Sequence, residues 1–179
     1  MGTEDSIELG FPPGSLAIDA DSNILYILEE NKQRVHRYSL SDEELLGRLQ
    51  LTEGKPSGIT FAWSHLWVMD SLEKRIGKYS VEGVRKGSIE VSPKIVGDPR
   101  GLASSADHLW GASDAGWSSK IFRINPESGR LDNGFFCECE PIDLASDGID
   151  AAPPQRTLLE APIDIENQVN RARGEPGED

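Results

Sequence analysis

The sequence contains no apolar run of the roughly 20 residues that a transmembrane helix needs. It opens without the charged and then apolar segment of a secretory signal, and it has no Asn-x-Ser/Thr sequon. As the chain stands, these absences predict a cytoplasmic protein without a membrane partner.

Cysteine is also scarce, and its placement limits what the thiols can do. Cys137 and Cys139 are the only two cysteines of the 179 residues, and they form a Cys-Glu-Cys sequence. A disulfide between residues i and i+2 would be strained. Two thiolates make half a zinc site, and no His or Cys follows at ligand spacing. We therefore expect both cysteines to belong to a buried strand.

Positive charge is the third shortage. The chain has 18 Lys and Arg against 31 Asp and Glu, which gives a formal net charge of −13, and the acids are spread along its length. Such a field repels phosphate backbones and anionic lipids, so nucleic acid is excluded as a partner. Cations such as Ca²⁺ and basic surfaces remain compatible with it.

A short motif recurs at a nearly fixed interval. Residues 13–17 (Pro-Gly-Ser-Leu-Ala) return 43 positions later at 56–60, again after 43 at 99–103, and after 42 at 141–145. A period of about 40–45 residues with short apolar runs is typical of β-propeller blades. Similar residues also recur at later equivalent positions of the three copies, as in Leu25-Tyr26, Leu66-Trp67 and Leu109-Trp110, or in Val35, Ile76 and Ile121.

The second copy shows what one blade contains. Residues 58–62, 65–69, 75–81 and 87–91 are four β-prone runs separated by turns, of which Trp63-Ser64 is the tightest. The second run is apolar on both faces, as expected of a strand covered by a neighbouring blade on each side. The sequence predicts an all-β fold of β-propeller blades, each with four antiparallel strands.

The sequence contains three complete copies of this repeat and a partial fourth. We expect a repeat region over residues 1–148 and an irregular or disordered tail over 149–179, where Pro, Gly and charged residues dominate. Residues 6–9 resemble the last strand of the second copy and are predicted to be the last strand of another blade. The blades are predicted at about 10–54, 55–97 and 98–140, with the partial copy from 141.

Two arrangements fit these ends. The 6–9 strand completes the last blade and closes the ring, or the chain is an incomplete propeller that belongs to a longer array. An open stack leaves apolar blade faces bare. The second arrangement therefore predicts a homodimer or further blades.

The repeat resembles the NHL-like and YVTN-like β-propeller superfamily. The resemblance rests on Gly-Ile, His-Leu-Trp-Val-x-Asp and Arg-Ile-x-Lys-Tyr within residues 58–79, and on the similar text of 101–129. It implies a fold used by protein-binding platforms and by a minority of enzymes, including streptogramin-type lyases, plant-type glutaminyl cyclotransferases and gluconolactonase-like hydrolases. Fold alone does not decide among them.

Acidic residues end the second strands of the copies. Glu29, Asp70 and Asp114 are expected at one rim, together with Lys55 and Arg100 from the connections between blades. A ring of carboxylates could hold a hard cation such as Ca²⁺. Equally, an acid at a strand end often accepts hydrogen bonds from nearby amides and fixes the turn.

The loop of the third copy is two residues longer than its equivalent and contains Trp117. An exposed Trp beside an acid and hydroxyls suits stacking on a sugar ring or contact with a protein, whereas a Trp that folds back would only cover the next blade. The predicted ligand-binding residues are Asp70, Arg100, Asp114 and Trp117.

No catalytic residue is predicted. His65 and His108 occupy equivalent places before Leu-Trp, which indicates a role in a turn, and His36 lies in a third strand, away from the position of a lyase base. We therefore expect a non-catalytic binding module for a protein or a glycan, with no cofactor unless Ca²⁺. The alternative is a metal-assisted hydrolase or lyase that uses Glu29, Asp70 and Asp114.

Overall fold

The computed structural model of the chain describes residues 8–52, 54–91, 97–114, 119–137 and 143–144. The chain divides into two units, Met1–Ile149 and Asp150–Asp179, and the described residues all belong to the first. These ranges contain strands and turns, and no helix long and apolar enough to span a bilayer.

Within the described residues, twelve strands form three sheets, and each sheet is a meander of four consecutive antiparallel strands. The predicted all-β blades are thus confirmed. Blade 1 comprises β1 (Pro13–Asp19), β2 (Ile24–Glu29), β3 (Arg34–Ser39) and β4 (Glu44–Gln50). Blade 2 comprises β5 (Pro56–Ala62), β6 (His65–Asp70), β7 (Arg75–Tyr79) and β8 (Arg85–Glu90). Blade 3 comprises β9 (Asp98–Ser104), β10 (Leu109–Asp114), β11 (Ser119–Ile124) and β12 (Leu131–Cys137).

Several predicted features fall wholly or partly outside the described residues. Of the strand expected at 6–9, only Glu8 and Leu9 are described, and neither lies in a strand. Of the partial fourth copy only Asp143 and Leu144 are described, and the tail from 149 is not. Cys137 ends β12, while Cys139 lies outside.

The blades stack face to face. We call the side of a blade that points towards the blade before it its preceding face, and the opposite side its following face. Alternate residues of β6 lie on opposite sides, as expected: Leu66 and Val68 join a core cluster with blade 1, while Trp67 and Met69 join one with blade 3. Burial of these alternating apolar side chains on both faces of the sheet stabilises the stack.

The first strands of the blades approach closely at one repeated position. The Ile59 amide donates to Ser15 Oγ at 3.1 Å, so β1 and β5 are joined directly. A Cβ at Gly58 would lie 2.7 Å from the Leu102 nitrogen, and a Cβ at Gly101 would lie 2.4 Å from Asp143 Cα. The second and third copies carry glycine at this position, where the backbone of the next copy occupies the space of a side chain; the first copy has Ser15 there.

Asp143 extends this contact towards the fourth copy. Its Oδ1 accepts the Leu144 amide at 2.9 Å, and its carboxylate also hydrogen-bonds the Ser15 hydroxyl and the Leu102 amide. Desolvation among these strands raises its pKa, although the hydrogen bonds oppose the rise. One carboxylate therefore links residues of blade 1, blade 3 and the fourth copy.

Candidate functional site

The strand registers place the predicted rim residues at one edge of the sheets. Glu29 pairs with Pro13, Asp70 with Pro56, and Asp114 with Asp98, so each acid lies opposite the start of its blade. The connection that precedes β5 brings Lys55 to the same edge. Arg100, expected in the connection before blade 3, instead lies within β9, close to the start of the strand.

Glu29 forms a compact cluster with two basic side chains of β3. Its Oε2 accepts from Arg34 Nη1 at 3.1 Å and from His36 Nε2 at 3.1 Å. The hydrogen bond from His36 is the main cause that lowers the Glu29 pKa, partly offset by desolvation, and Arg34 lowers it further. Phe11 stacks on the His36 ring with centroids 3.7 Å apart. Glu29 is thus a buried anion that already has two partners.

Asp70 fixes the turn after β6. Its Oδ1 accepts the amides of Leu72 and Glu73, both at 2.9 Å, and the amide of Lys55 at 3.1 Å. Its carboxylate covers Gly54, whose φ is +92° and where a Cβ would lie 1.4 Å from Oδ2. Asp70 therefore positions the backbone of Lys55.

Arg100 and Asp114 are brought together across the first two strands of blade 3. Arg100 Nη2 lies 3.3 Å from Asp114 Oδ2, and the Arg100 side chain is exposed. Of the four predicted ligand-binding residues, the structure pairs these two. Trp117 lies outside the described residues.

Two adjoining concavities occupy this rim between blades 1, 2 and 3. One, of about 190 Å³, is lined by Glu30, Asn31, Lys55, Ser71, Asp98 and Arg100, among others. The other, of about 310 Å³, lies between blades 1 and 2 and is lined by Lys32, Gln33, Arg34, Gln50 and Lys55, among others. Lys55 lines both, and Asp70 holds its backbone in place.

Sequence reasoning missed the second concavity. Of its cations, Lys32 lies in the β2–β3 turn of blade 1, Arg34 begins β3, and Lys55 precedes β5. The other copies have no lysine at the position equivalent to Lys32, so a search for repeated features passes over it. A signal was available: Asn31-Lys32-Gln33-Arg34 is a run of amide and basic side chains in an acidic chain.

The described residues contain no group of three or more His, Cys, Asp or Glu side chains that could hold a metal ion. Glu29, Asp70 and Asp114 each lie in a different blade with partners of their own. The calcium site, and with it the metal-assisted hydrolase or lyase, stays a prediction.

The two equivalent histidines lie in or beside the turns before their second strands. His65 Nδ1 is 2.6 Å from the Trp63 carbonyl oxygen, within its own hairpin. His108 contacts the neighbouring Asp107 through Nδ1 and Asp132 Oδ2 through Nε2, at 3.2 Å. The pKa of Asp132 is lowered, mainly by Arg130 and also by His108. His65 thus contacts its own hairpin, whereas His108 also reaches Asp132 in β12, the fourth strand of blade 3.

No protein-family model and no curated protein matches the chain. Solved structures do. The chain is similar to glutaminyl cyclase of Myxococcus xanthus, with a TM-score of 0.55 and 16% identity over 73% of this chain and 51% of that one. It is similar to the WD40 domain of Neurospora crassa Pan2, with a TM-score of 0.53 and 14% identity over 76% of this chain and 41% of that one.

A third structure, a nidogen/laminin complex, matches with a TM-score of 0.54 and 19% identity over 69% of this chain and 47% of that one. The chain thus spans about half the length of these neighbours, which are β-propeller proteins. At such identities the likeness concerns the fold, and the described residues form β-propeller blades.

Proposed function

We propose that this chain is a non-catalytic β-propeller binding module, and that its rim binds an anionic group of a protein or glycan partner. The observation that carries the proposal is the pair of adjoining concavities of about 190 and 310 Å³ at the rim. Concave surfaces with a few convergent polar groups are the usual form of ligand sites.

The charge of the lining supports an anionic ligand. Lys32, Arg34 and Lys55 line the larger concavity, and its described lining includes no Asp or Glu. Neither lysine ammonium forms an ion pair with a described residue, so both are available to a ligand. In a chain of net charge −13, this local reversal of sign favours an anion here over the surrounding surface.

Under this proposal, the carboxylates of the rim position its basic residues and do not contact the ligand themselves. Asp70 holds the amide of Lys55, and Asp114 orients the Arg100 guanidinium, whose donors are suited to a carboxylate or sulfate. The enzyme-like alternative would need one of these acids to face a substrate, and no observation favours it.

The proposal is tested by screening acidic peptides and matched neutral and anionic oligosaccharides for binding by biolayer interferometry. For the ligand found, Lys55→Ala and Arg100→Ala should each weaken binding by about tenfold, the usual effect of losing one charged hydrogen bond. Lys86→Ala is the matched control, because Lys86 is exposed on β8 and lines neither concavity.

Affinity that is unchanged in both rim variants, at low and at physiological salt, would contradict the proposed site. Trp117→Ala tests the predicted aromatic contact separately: binding should be lost while the far-UV circular dichroism is retained. An unchanged affinity would remove Trp117 from the site and leave the cationic lining as the proposal.

A further inference from the structure

The larger concavity at the rim, between blades 1 and 2, is held in shape by its own hydrogen bonds. The Gln33 carbonyl oxygen accepts from the Leu51 amide at 2.9 Å and from Gln50 Nε2 at 2.7 Å. Gln33 in turn donates through its own Nε2 to the Gly54 carbonyl oxygen at 2.7 Å. These contacts tie the end of blade 1 to the connection that leads into blade 2, so the lining is formed before a ligand arrives.

The same lining has little free backbone for a peptide to pair with. The Lys55 amide donates to Asp70 Oδ1 at 3.1 Å, and the Lys55 carbonyl oxygen accepts from the Ser71 amide at 2.9 Å. The Lys32 amide donates to the Glu29 carbonyl oxygen at 3.1 Å. Extended peptides gain affinity mainly by adding main-chain hydrogen bonds to a free strand edge. A peptide bound in this concavity could form few of them.

Two glutamine side chains of the lining present oxygen atoms instead. Gln33 and Gln50 both direct their side-chain nitrogen to backbone carbonyl oxygens, which fixes the orientation of each amide. The Oε1 atoms of both residues are without a hydrogen-bond partner among the described residues. Each is therefore a neutral acceptor that a ligand hydroxyl can use.

The rest of the described lining is cationic and almost free of apolar surface. Lys32 and Lys55 are exposed and supply ammonium groups, and Pro56 is the one apolar side chain that lines the described part of the concavity. No aromatic ring is present in that lining. Protein partners are usually anchored by aromatic or aliphatic side chains in pockets, and nucleobases by stacking on aromatic rings. Neither kind of ligand finds its usual contact here.

We propose that the ligand of the larger concavity is an anionic saccharide, a sugar chain that carries carboxylate or sulfate groups beside its hydroxyls. The inference rests on the proposed function and narrows its ligand from a protein or glycan to a glycan. The ammonium groups of Lys32 and Lys55 bind the anionic group, and sugar hydroxyls donate to the glutamine oxygens. A volume of about 310 Å³ lies at the lower end of the roughly 300–1,000 Å³ of ligand sites, which suits a short segment of such a chain.

The test compares anionic probes of matched length and charge by biolayer interferometry with the full chain. The probes are an oligogalacturonate, a sulfated oligosaccharide and an oligo-glutamate, and the two saccharides distinguish carboxylate from sulfate recognition. At least one saccharide should bind about tenfold more tightly than oligo-glutamate. Lys32→Ala should weaken saccharide binding by about tenfold, while the control Lys86→Ala should leave it unchanged.

The hydroxyl contacts are tested with the tighter saccharide and its O-methylated form, which keeps the charge but loses the hydroxyl donors. Gln50→Leu should weaken binding of the unmodified saccharide by about two- to tenfold and leave binding of the methylated form unchanged. Far-UV circular dichroism confirms that both variants are folded. If Gln50→Leu fails to fold, the wild type alone should bind the methylated form more weakly by a similar factor.

The outcomes separate this inference from the function on which it rests. Oligo-glutamate that binds as tightly as both saccharides, or more tightly, would overturn the saccharide assignment and leave the anion site in place. Equal losses by Gln50→Leu for the methylated and unmodified saccharides would also overturn it. If none of the anionic probes binds, the proposed function fails as well.

Discussion

Removal of the Asp70 carboxylate should destabilise the fold even though the side chain lies at the rim. Asp70→Ala leaves three amides without their acceptor, those of Lys55, Leu72 and Glu73. A hydrogen bond contributes about 0.5–1.5 kcal/mol net, and somewhat more when the acceptor is charged. Three such bonds around a buried side chain give about 2–4 kcal/mol.

The free energy of unfolding and the melting temperature measure this effect. For a domain of this size about 1 kcal/mol shifts the melting temperature by about 2–4 °C, so Asp70→Ala should melt about 5–15 °C lower. Asp70→Asn keeps an oxygen acceptor at the same place and should lose less than about 1 kcal/mol. Urea unfolding monitored by circular dichroism gives the two differences independently of heating.

The same variants separate a turn-fixing acid from a metal ligand. If Asp70 fixes the turn, Asp70→Ala should be less stable than the wild type in EDTA. If Asp70 is instead a metal ligand, the two proteins should be equally stable once EDTA has removed the metal. If Asp70→Ala melts with the wild type in EDTA, and added Ca²⁺ stabilises the wild type alone, the turn-fixing role of Asp70 is refuted.

Two further outcomes follow from contacts described above. Gly58→Ala should destabilise the stack by about 1–3 kcal/mol, because the new Cβ would lie 2.7 Å from the Leu102 nitrogen. A Cβ at Gly87 would meet nothing within 4 Å, so the control variant Gly87→Ala should be neutral or slightly stabilising. Equal melting temperatures of the two variants would disprove the close approach of β5 and β9. The pKa of Glu29 is lowered in the folded chain, mainly by His36, so its contribution to stability is present above its ordinary pKa and is lost as the pH falls through the lower folded value. The melting temperatures of the wild type and Glu29→Gln should therefore differ near neutral pH and converge in acid, and a gap that persists at all pH values would show that the ion pair is not its cause.

The repeated sequence pattern predicted the blades well because the four strands and the turns of each blade are formed by consecutive residues. The turn at Trp63-Ser64 was expected from sequence, and both residues have positive φ, 50° and 58°, as a two-residue hairpin requires. The prediction was wrong at the β7–β8 hairpin: β7 ends at Tyr79 instead of residue 81, and β8 begins at Arg85 instead of residue 87. A register shift beside Tyr79 causes this, and alternation of apolar residues does not reveal such a shift.

The rim was harder to predict from sequence than the strands. Sequence placed Glu29, Asp70 and Asp114 at one edge, and the registers bear this out. Which partners they take depends on side-chain reach and strand register together. His36 was set aside as a residue of a third strand, yet it lies diagonally across the β2–β3 ladder from Glu29 and binds it.

The meander topology also governs how the chain folds and opens. In the part of the chain that the structure describes, the sheet hydrogen bonds join consecutive strands, so each sheet can complete its ladder from fewer than about 45 consecutive residues. Order over longer distances comes mainly from contacts between stacked blades. Hydrogen exchange should then follow blades as cooperative units. Blade 2, stacked on both sides, should exchange most slowly.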